Sequence, residues 1–327
     1  MYTLGIETSC DETSCAVLSG LKVLSNVTIS SLKQHKKYGG VVPEVATRAH
    51  LKNIDKVFSA ALHEAKISLK QIDLIAVTHK PGLIGALVVG LNFAKALSLG
   101  LDKPLIGVDH LRAHLFAAFL DGSRKIEFPF IGLVVSGGHT DIYLVKDFHR
   151  PKLIGATCDD ACGESYDKVA RVLGLGYPGG PVIDKIFDEK EKNAFKFKCG
   201  RKELDLSFSG IKTAVLYKKQ ELEDQGVLKR EEMIRLVSSF QGAVVEAIVD
   251  TVRDAALKYK VKTVVCGGGV AANRYLRAQL IERAADLNVI IAPMRYTTDN
   301  AAMVAGLGFY LYNRGFKNGP RLKAQAR

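Results

Sequence analysis

Residues 130–145 read FIGLVVSGGHTDIYLV, which is an apolar run, a glycine turn at 136–140 and a second apolar run. Short apolar runs joined by such a turn predict two antiparallel strands. Residues 3–18, TLGIETSCDETSCAVL, follow the same plan with a polar turn at 8–13. A third strand pattern and then alternating helix and strand patterns follow each copy, so the chain is predicted to contain a duplicated unit.

Two such halves predict an α/β protein with two lobes, on the actin/Hsp70/sugar-kinase plan, which is a duplicated ribonuclease H-like fold with a central nucleotide cleft. The predicted lobes are residues 1–129 and 130–299, and a C-terminal helix, 300–327, is expected to pack back on the first lobe. A lysine-rich stretch near 184–202 is expected to be an exposed insertion. A single doubly wound sheet is the alternative, but it explains the restart at residue 130 less well.

The composition excludes a disordered or collagen-like chain, because 47% of the 327 residues are apolar and 24% are charged. The net charge of +12 suits a polyanionic partner such as nucleic acid, although a basic enzyme without such a partner fits equally well. The six cysteines form no C-x-x-C pair, so free thiols in a reducing cytosol are expected. Neither a signal peptide nor a membrane span is expected, and the predicted location is cytoplasmic.

The pentapeptide HLRAH, residues 110–114, places two imidazoles four positions apart on a helix that is predicted to run from His110 to about Leu120. Both side chains can then reach one metal ion, but the spacing alone fits two ordinary helix-face histidines about as well. Leu111 stands where a metalloprotease helix needs glutamate, which argues against a protease. Asp299 is a candidate third ligand, with a helix N-cap as its other interpretation.

Two glycine turns are candidates for binding a phosphate or carboxylate group. SGGHT at 136–140 exposes backbone N–H groups, and GGGVAAN at 267–273 follows a buried strand and opens a helix. Each turn alone also fits an ordinary connection. The acidic start of the helix at 159–168 and the loop GYPGGP at 176–181 would, alone, be interpreted as helix capping and as a rigid connector.

Taken together, the ordered set of segments resembles the Kae/TsaD/Qri family, in its bacterial TsaD branch, from residue 5 to about residue 308. The segments are GIETSCDET (5–13), KKYGGVVPEVATRAHL (36–51), HLRAH (110–114), LVVSGGHT (133–140), DDACGESYDKVARVLGLGYPGGPVID (159–184), SFSGIKTAV (207–215), GGGVAANRYLR (267–277) and TTDNAAM (297–303). The departures are modest: His79-Lys80 precede Pro-Gly, Arg112 stands where glutamate is frequent, and Cys162 replaces an alanine.

The resemblance implies transfer of a threonylcarbamoyl group from L-threonylcarbamoyladenylate to N6 of adenosine 37 in ANN-decoding tRNAs, forming t6A and releasing AMP. It implies one divalent metal per subunit, iron or zinc, held by His110, His114 and Asp299. His139 is the nearest candidate for a general base. The implied substrate contacts are Leu133, Val134, Val135, Ser136, Gly137, Asp167, Gly180, Asp184 and Asn273.

The resemblance also implies partners: the tRNA, the inactive paralogue TsaB and the small ATPase TsaE, while TsaC makes the adenylate. Basic stretches at 22–52 and 313–327 are candidates for contacts with tRNA phosphates. The alternative function is a small-molecule O-carbamoyltransferase on the same fold. A sugar kinase would need a catalytic aspartate rather than the histidine pair, and a non-catalytic subunit could lose all three candidate ligands.

Overall fold

The structure, a computed structural model, describes residues 1–122 and 124–326. The strands within these ranges, in chain order, are β1 Tyr2–Glu7, β2 Glu12–Ser19, β3 Lys22–Ser30, β4 Leu74–Lys80, β5 Leu105–Asp109, β6 Phe130–Val135, β7 Thr140–Val145, β8 Lys152–Ala156, β9 Gly200–Lys202, β10 Asp205–Ser207, β11 Thr263–Gly267 and β12 Asn288–Ile291. The α-helices in the same ranges are α1 Leu32–His35, α2 Pro43–Ala65, α3 Ile84–Leu101, α4 His110–Phe116, α5 Cys162–Val172, α6 Gly179–Ile186, α7 Ser209–Asp224, α8 Arg230–Tyr259, α9 Arg274–Arg283 and α10 Ala301–Tyr312.

The chain divides into two compact units. One comprises Met1–Ile126 with Ala292–Arg327, and the other comprises Glu127–Ile291. Residues 292–299, which the sequence analysis grouped with the second lobe, therefore pack with the first unit. The candidate ligand Asp299 lies in this segment and thus belongs to the same unit as His110 and His114.

Each unit contains a five-stranded mixed sheet of the same topology, in the order β3-β2-β1-β4-β5 in the first and β8-β7-β6-β11-β12 in the second. In both, the central strand pairs antiparallel with the strand that follows it and parallel with a later one. The outer pairs β2–β3 and β7–β8 are antiparallel, and β4–β5 and β11–β12 are parallel. This correspondence confirms the duplicated α/β plan predicted from the two strand–turn–strand repeats.

The two faces of the first sheet have different partners because side chains alternate along a strand. Leu4 and Ile6 of β1 belong to the core that includes Val57 of α2 and Leu91 of α3. The alternate residues of β1, including Gly5, face α10, which packs on the opposite side of the sheet. The end of β1 therefore projects Glu7 to the α10 side.

Glycines allow α10 to lie directly on the sheet. A Cβ at Gly5 would overlap the carbonyl oxygen of Ala301, and a Cβ at Gly308 would overlap the Cβ of Ala76 in β4. Protein interiors tolerate little extra volume at such contacts. These two contacts fix the position of α10, and with it the segment that carries Asp299.

The helix α3 is long and apolar enough to cross a membrane, judged by length and composition alone. Core helices meet the same criterion, and Ala86, Leu87 and Leu91 of α3 are buried in the first unit. The six cysteines are free thiols, as predicted.

Two expectations from the sequence are wrong in detail. The expected helix over 300–327 ends at Tyr312, where Gly315 adopts a φ of +84°, which favours glycine. Residues 318–325 then run beside the first sheet, with Gln325 N–H donating to the carbonyl of His79 at 2.9 Å. The helix predicted from His110 to about Leu120 becomes a 3-10 turn after Phe116.

Most residues of the stretch near 184–202 are exposed, but the stretch is anchored to the second unit. The N–H groups of Asp188 and Phe195 each donate a 2.9 Å hydrogen bond to Ser238 and Ser239 of α8, respectively, and Cys199 is buried. The helix α8 was itself absent from the sequence prediction, although most of one face is in the core of the second unit. These contacts anchor a lysine-rich segment whose lysines are mostly exposed.

We predict that Gly308→Ala lowers the free energy of unfolding by about 1–3 kcal/mol, because its new methyl group overlaps Ala76. Gly100→Ala is the matched control, since Gly100 also lies in a helix but has no atom within 4 Å of its Cβ position. Both variants gain helix propensity, so only the overlap distinguishes them. Urea unfolding measures the difference, and equal stabilities would contradict the proposed tight contact.

Candidate active site

The helix that carries the two histidines begins where β5 ends. Asp109 is the N-cap of α4, since its Oδ1 accepts hydrogen bonds from the N–H groups of Leu111 and Arg112 at 3.1 and 3.2 Å. This cap fixes the first turn of α4 at the carboxyl end of a parallel strand. His110 and His114 are consequently buried on one side of the helix, with ring centroids 4.6 Å apart.

Asp299 reaches the histidines from the segment before α10. The cap of that helix is Asn300, whose Oδ1 accepts a hydrogen bond from Met303 N–H at 3.0 Å. Oδ1 of Asp299 lies 3.1 Å from Nε2 of His114 and 3.6 Å from Nε2 of His110. The ligand atoms of the three residues lie within 4.8 Å of one another, so the structure brings together all three predicted metal ligands.

The bonding of His114 fits a cation at this position. Its Nδ1 makes no hydrogen bond with a described residue although the side chain is fully buried, and its Nε2 faces Oδ1 of Asp299 at 3.1 Å. Burial and the nearby His110 lower the pKa of His114, which favours the neutral ring that binds metals. Two imidazole nitrogens and a carboxylate oxygen are donors that suit zinc or iron. The cluster can therefore hold a metal ion.

An excess of buried carboxylates adds to the case for a cation. Burial, followed by the charges of Asp299 and Asp11, raises the pKa of Glu12 to about 10. Burial alone would lower the pKa of His110, but the carboxylates of Asp299 and Glu7 outweigh it and raise that pKa to about 9. A positive charge beside Asp299 would relieve the repulsion among these carboxylates.

Two polar residues at this site were not singled out by the sequence analysis. Oε2 of Glu7 lies 3.1 Å from Nδ1 of His110, and Oγ of Ser9 lies 3.2 Å from the same nitrogen. Both residues stand at the end of β1, in the segment ETSCDE, where polar residues fit an ordinary turn. The sequence offered one signal for Glu7: the alternation of side chains along β1 places its carboxylate on the side of the sheet that faces α10.

A third histidine braces the turn between β1 and β2. His50 of α2 is buried, with Nδ1 2.8 Å from Oγ1 of Thr13 and Nε2 2.9 Å from the carbonyl oxygen of Cys10. The carbonyl can only accept, so Nε2 carries the proton and Nδ1 of the neutral ring accepts from the Thr13 hydroxyl. Burial lowers the pKa of His50, which favours this neutral form.

In the second unit, the turn after β6 is a tight hairpin. Ser136 N–H donates to the carbonyl of His139 at 2.8 Å, and His139 N–H donates to Oγ of Ser136 at 3.1 Å. The side chains of Leu133, Val134 and Val135 are fully buried, so these three can meet a ligand only through their backbone.

Other glycines bring further backbone against this turn. A Cβ at Gly163, in the first turn of α5, would lie 2.7 Å from the carbonyl oxygen of Ser136. A Cβ at Gly268 would overlap the carbonyl oxygen of Val135, and Gly268 has a φ of +100°. The first turn of α5 and the triple-glycine turn therefore meet at the end of β6, which is the end of the strand where ligands bind in open α/β sheets.

Four glycines in or near these turns have open space where a side chain would otherwise stand. Gly137, Gly138, Gly180 and Gly269 have no atom within 4 Å of a Cβ position. Exposed backbone of this kind can approach a nucleotide closely and offer N–H groups to phosphate. We refer to these four residues as the glycine cradle.

Two polar residues that were predicted to contact the substrate, Asp167 and Asp184, hold the neighbouring loops in place. Oδ1 of Asp167 accepts a hydrogen bond from Gly179 N–H at 2.7 Å. The carboxylate of Asp184 accepts from N–H and Nε of Arg274 at 3.2 and 2.9 Å. Asp167 thus fixes the start of α6, and Asp184 links the end of α6 to the start of α9.

Asn273 has a similar structural task at the other side of the triple-glycine turn. Its Oδ1 caps α9 by accepting from Leu276 N–H at 2.8 Å, and its Nδ2 donates to Oε1 of Gln241 at 2.8 Å. The residues predicted to contact the substrate therefore lie in the second unit, and the predicted metal ligands lie in the first.

We predict that His50→Gln lowers the free energy of unfolding by about 1 kcal/mol at pH 7.5, because hydrogen bonds to the turn are weakened. The gap should narrow as the pH falls to 5.5. The folded-state pKa of His50 is lowered, so its contribution is complete above the unfolded-state pKa and is lost as protons bind to the unfolded chain. Urea unfolding across this range checks the sign, and a gap that widens towards pH 5.5 would be the opposite of the expectation.

Comparison with known proteins bears on the whole chain. Residues 22–306 match the family model of TsaD, tRNA N6-adenosine threonylcarbamoyltransferase. A protein of that description from Thermosipho africanus is 51% identical over 99% of this chain and 98% of its own. The corresponding protein from Fusobacterium nucleatum is 50% identical over 95% of this chain and 91% of its own.

Solved structures with low sequence identity share the fold. Full-length HypF in a phosphate- and nucleotide-bound form is 14% identical, with a TM-score of 0.62 over 95% of this chain and 55% of that one. Component A of (R)-2-hydroxyglutaryl-CoA dehydratase from Acidaminococcus fermentans is 15% identical, with a TM-score of 0.55 over 96% of this chain and 99% of that one. These two support the predicted two-lobed fold class and nothing finer. The family model and the full-length relatives go further: the chain belongs to the TsaD family of tRNA N6-adenosine threonylcarbamoyltransferases.

Proposed function

We propose that the chain transfers the threonylcarbamoyl group from L-threonylcarbamoyladenylate to N6 of adenosine 37 in ANN-decoding tRNAs, forming t6A and releasing AMP. The observation that carries this proposal is the buried cluster of His110, His114 and Asp299 in a chain that matches named transferases over nearly its whole length. No feature of the described residues favours the small-molecule O-carbamoyltransferase instead.

The reaction sets clear chemical demands. N6 of adenine is a weak nucleophile because its lone pair is delocalised into the ring, so the donor must be an activated mixed anhydride. N6 attacks the carbamoyl carbon, the bond from that carbon to the phosphate oxygen breaks, and AMP leaves with the electron pair while N6 loses one proton. A divalent iron or zinc ion held by His110, His114 and Asp299 would supply Lewis-acid stabilisation of the developing negative charge.

The glycine cradle is proposed to hold the adenylate. Gly137, Gly180 and Gly269 offer open backbone, while Leu133 to Ser136 form the strand end and turn that support it. Asp167, Asp184 and Asn273 keep the surrounding loops in register through their hydrogen bonds. Holding the donor in one orientation is by itself a large contribution to rate.

The proton from N6 needs an acceptor, and we propose His139 for this role. The residue follows Gly138 in the hairpin turn, and its backbone is fixed by the two hydrogen bonds with Ser136. An imidazole titrates near neutral pH, which suits general-base chemistry.

The proposed partners are the acceptor tRNA, TsaB and TsaE, in the cytoplasm and with no membrane. Residues 22–52 carry six Lys/Arg with Glu44 as the sole acid, and residues 313–327 carry five with no acid. Basic side chains of this kind bind phosphates with an affinity that falls as salt rises. An anticodon-loop base can be presented without opening a duplex.

We predict that His114→Ala reduces transfer of [14C]threonylcarbamoyl from the adenylate to an unmodified ANN-decoding tRNA by at least about 100-fold, because a metal ligand is lost. The assay contains TsaB and TsaE. His63→Ala, at an exposed position of α2, is the control and should retain activity. Absence of label with the wild-type protein, despite bound adenylate and folded partners, would refute the tRNA assignment.

We predict that Gly180→Val weakens AMP binding at least about tenfold, because the new side chain fills the glycine cradle. Gly210→Val is the matched control, since both glycines are the second residue of a helix and neither has an atom within 4 Å of its Cβ position. Titration calorimetry with AMP gives both dissociation constants. Equal affinities for the two variants would place the nucleotide elsewhere.

A further inference from the structure

Glu7 is a fully buried carboxylate whose hydrogen bonds converge on a metal ligand. It lies at the end of β1 with 0% exposure, and its Oε2 is 3.1 Å from Nδ1 of His110. Oε2 also accepts a hydrogen bond from Oγ1 of Thr78 at 2.6 Å, and Oε1 accepts from Ser9 N–H at 2.5 Å. Removing a carboxylate from water is expensive, so a buried one needs partners of this kind.

The contacts of Glu7 set the hydrogen-bond direction. Both of its oxygens already accept hydrogen bonds, Oε1 from Ser9 N–H and Oε2 from the hydroxyl of Thr78. A carboxylate held in this way acts as an acceptor, so Nδ1 of His110 carries the proton and donates it to Glu7. In a neutral ring, the lone pair then resides on Nε2, which is the nitrogen that faces Asp299 at 3.6 Å.

We propose that Glu7 is a positioning residue for the metal site: it selects the Nδ1–H tautomer of His110, holds the ring plane and presents Nε2 to the ion. This role rests on the proposed metal at His110, His114 and Asp299. Metal-bound histidines commonly donate their other N–H to such a partner, and losing that partner weakens metal binding about 10- to 100-fold.

The two histidines differ in this respect. Nδ1 of His114 has no hydrogen-bond partner among the described residues, whereas Nδ1 of His110 lies close to both Glu7 and Ser9. His110 therefore has a hydrogen bond that can fix its tautomer, and His114 has none at the same nitrogen among these residues. The hydroxyl of Ser9 can accept a share of the same N–H, but it cannot replace the carboxylate as a charged acceptor.

The test is Glu7→Gln, which keeps the shape of the side chain. Its carbonyl oxygen can still accept from Ser9 N–H, while its NH₂ group would face Nδ1 of His110 and require the opposite tautomer. A purely structural role for Glu7 would survive this change, but a positioning role would be lost. Ser25→Ala is the control, because it removes a buried hydroxyl from the same sheet whose hydrogen bonds lie away from the site.

Zinc is the probe, and chelator competition at pH 7.5 measures its dissociation constant for each variant. We expect Glu7→Gln to bind zinc about 10- to 100-fold more weakly than the wild type, and Ser25→Ala to bind it normally. A ¹H–¹⁵N spectrum of the zinc-loaded wild type should contain a slowly exchanging Nδ1–H signal from His110, and this signal should be lost or shifted in Glu7→Gln.

The outcomes separate the two proposals. Zinc binding by Glu7→Gln within twofold of the wild type, with the Nδ1–H signal retained, overturns the role of Glu7 and leaves the metal site intact. No zinc binding by the folded wild type overturns the metal site and this role together. If Glu7→Gln does not fold, Thr78→Val decides, because it removes a hydrogen bond to the same oxygen. It should weaken zinc binding several-fold, and unchanged affinity would overturn the role of Glu7.

Discussion

The contact of α10 with β1 is the constraint on which the candidate metal site depends. Gly5 allows the carbonyl of Ala301 to lie against the strand. Glu7 follows Gly5 by two residues, and Asp299 precedes Ala301 by two residues. Residues far apart in the sequence are thereby held at one end of the sheet. The capped helix α4, which begins at the end of β5 on the same sheet, brings the two imidazoles to them.

Burial gives this arrangement its electrostatic character. Burial and the charge of Asp299 raise the pKa of Glu12, whereas the charge of His110 outweighs burial and lowers the pKa of Glu7. Such a cluster disfavours the folded state unless a cation is present, because like charges at short range in a poorly solvated site repel. The cluster is therefore better suited to holding an ion than to supporting the fold.

The sequence predicted the two sheets well because alternation and glycine turns are local signals. It did not predict α8, a long helix of mixed composition with one buried face. It also did not predict the extended C-terminal segment, where Leu322 and Ala324 pack against the core of the first unit between polar neighbours. Asp299 was selected through the family resemblance, since its own segment fits a helix cap. Glu7 was missed because its role depends on which side of β1 packs against α10, and the sequence does not specify that packing.

The two copies of the same topology end in turns of opposite chemistry. The turn after β1 carries the carboxylates of Asp11 and Glu12 next to Glu7 and favours positive charge. The turn after β6 has Gly137 and Gly138 at the corresponding place, with no side chain to cover its amides, and favours negative charge. The second turn thus suits an anionic donor, and the candidate metal site beside the first turn suits a Lewis acid. Two sheets of the same strand order therefore support turns of opposite charge preference, set by the few residues that follow the first strand of each sheet.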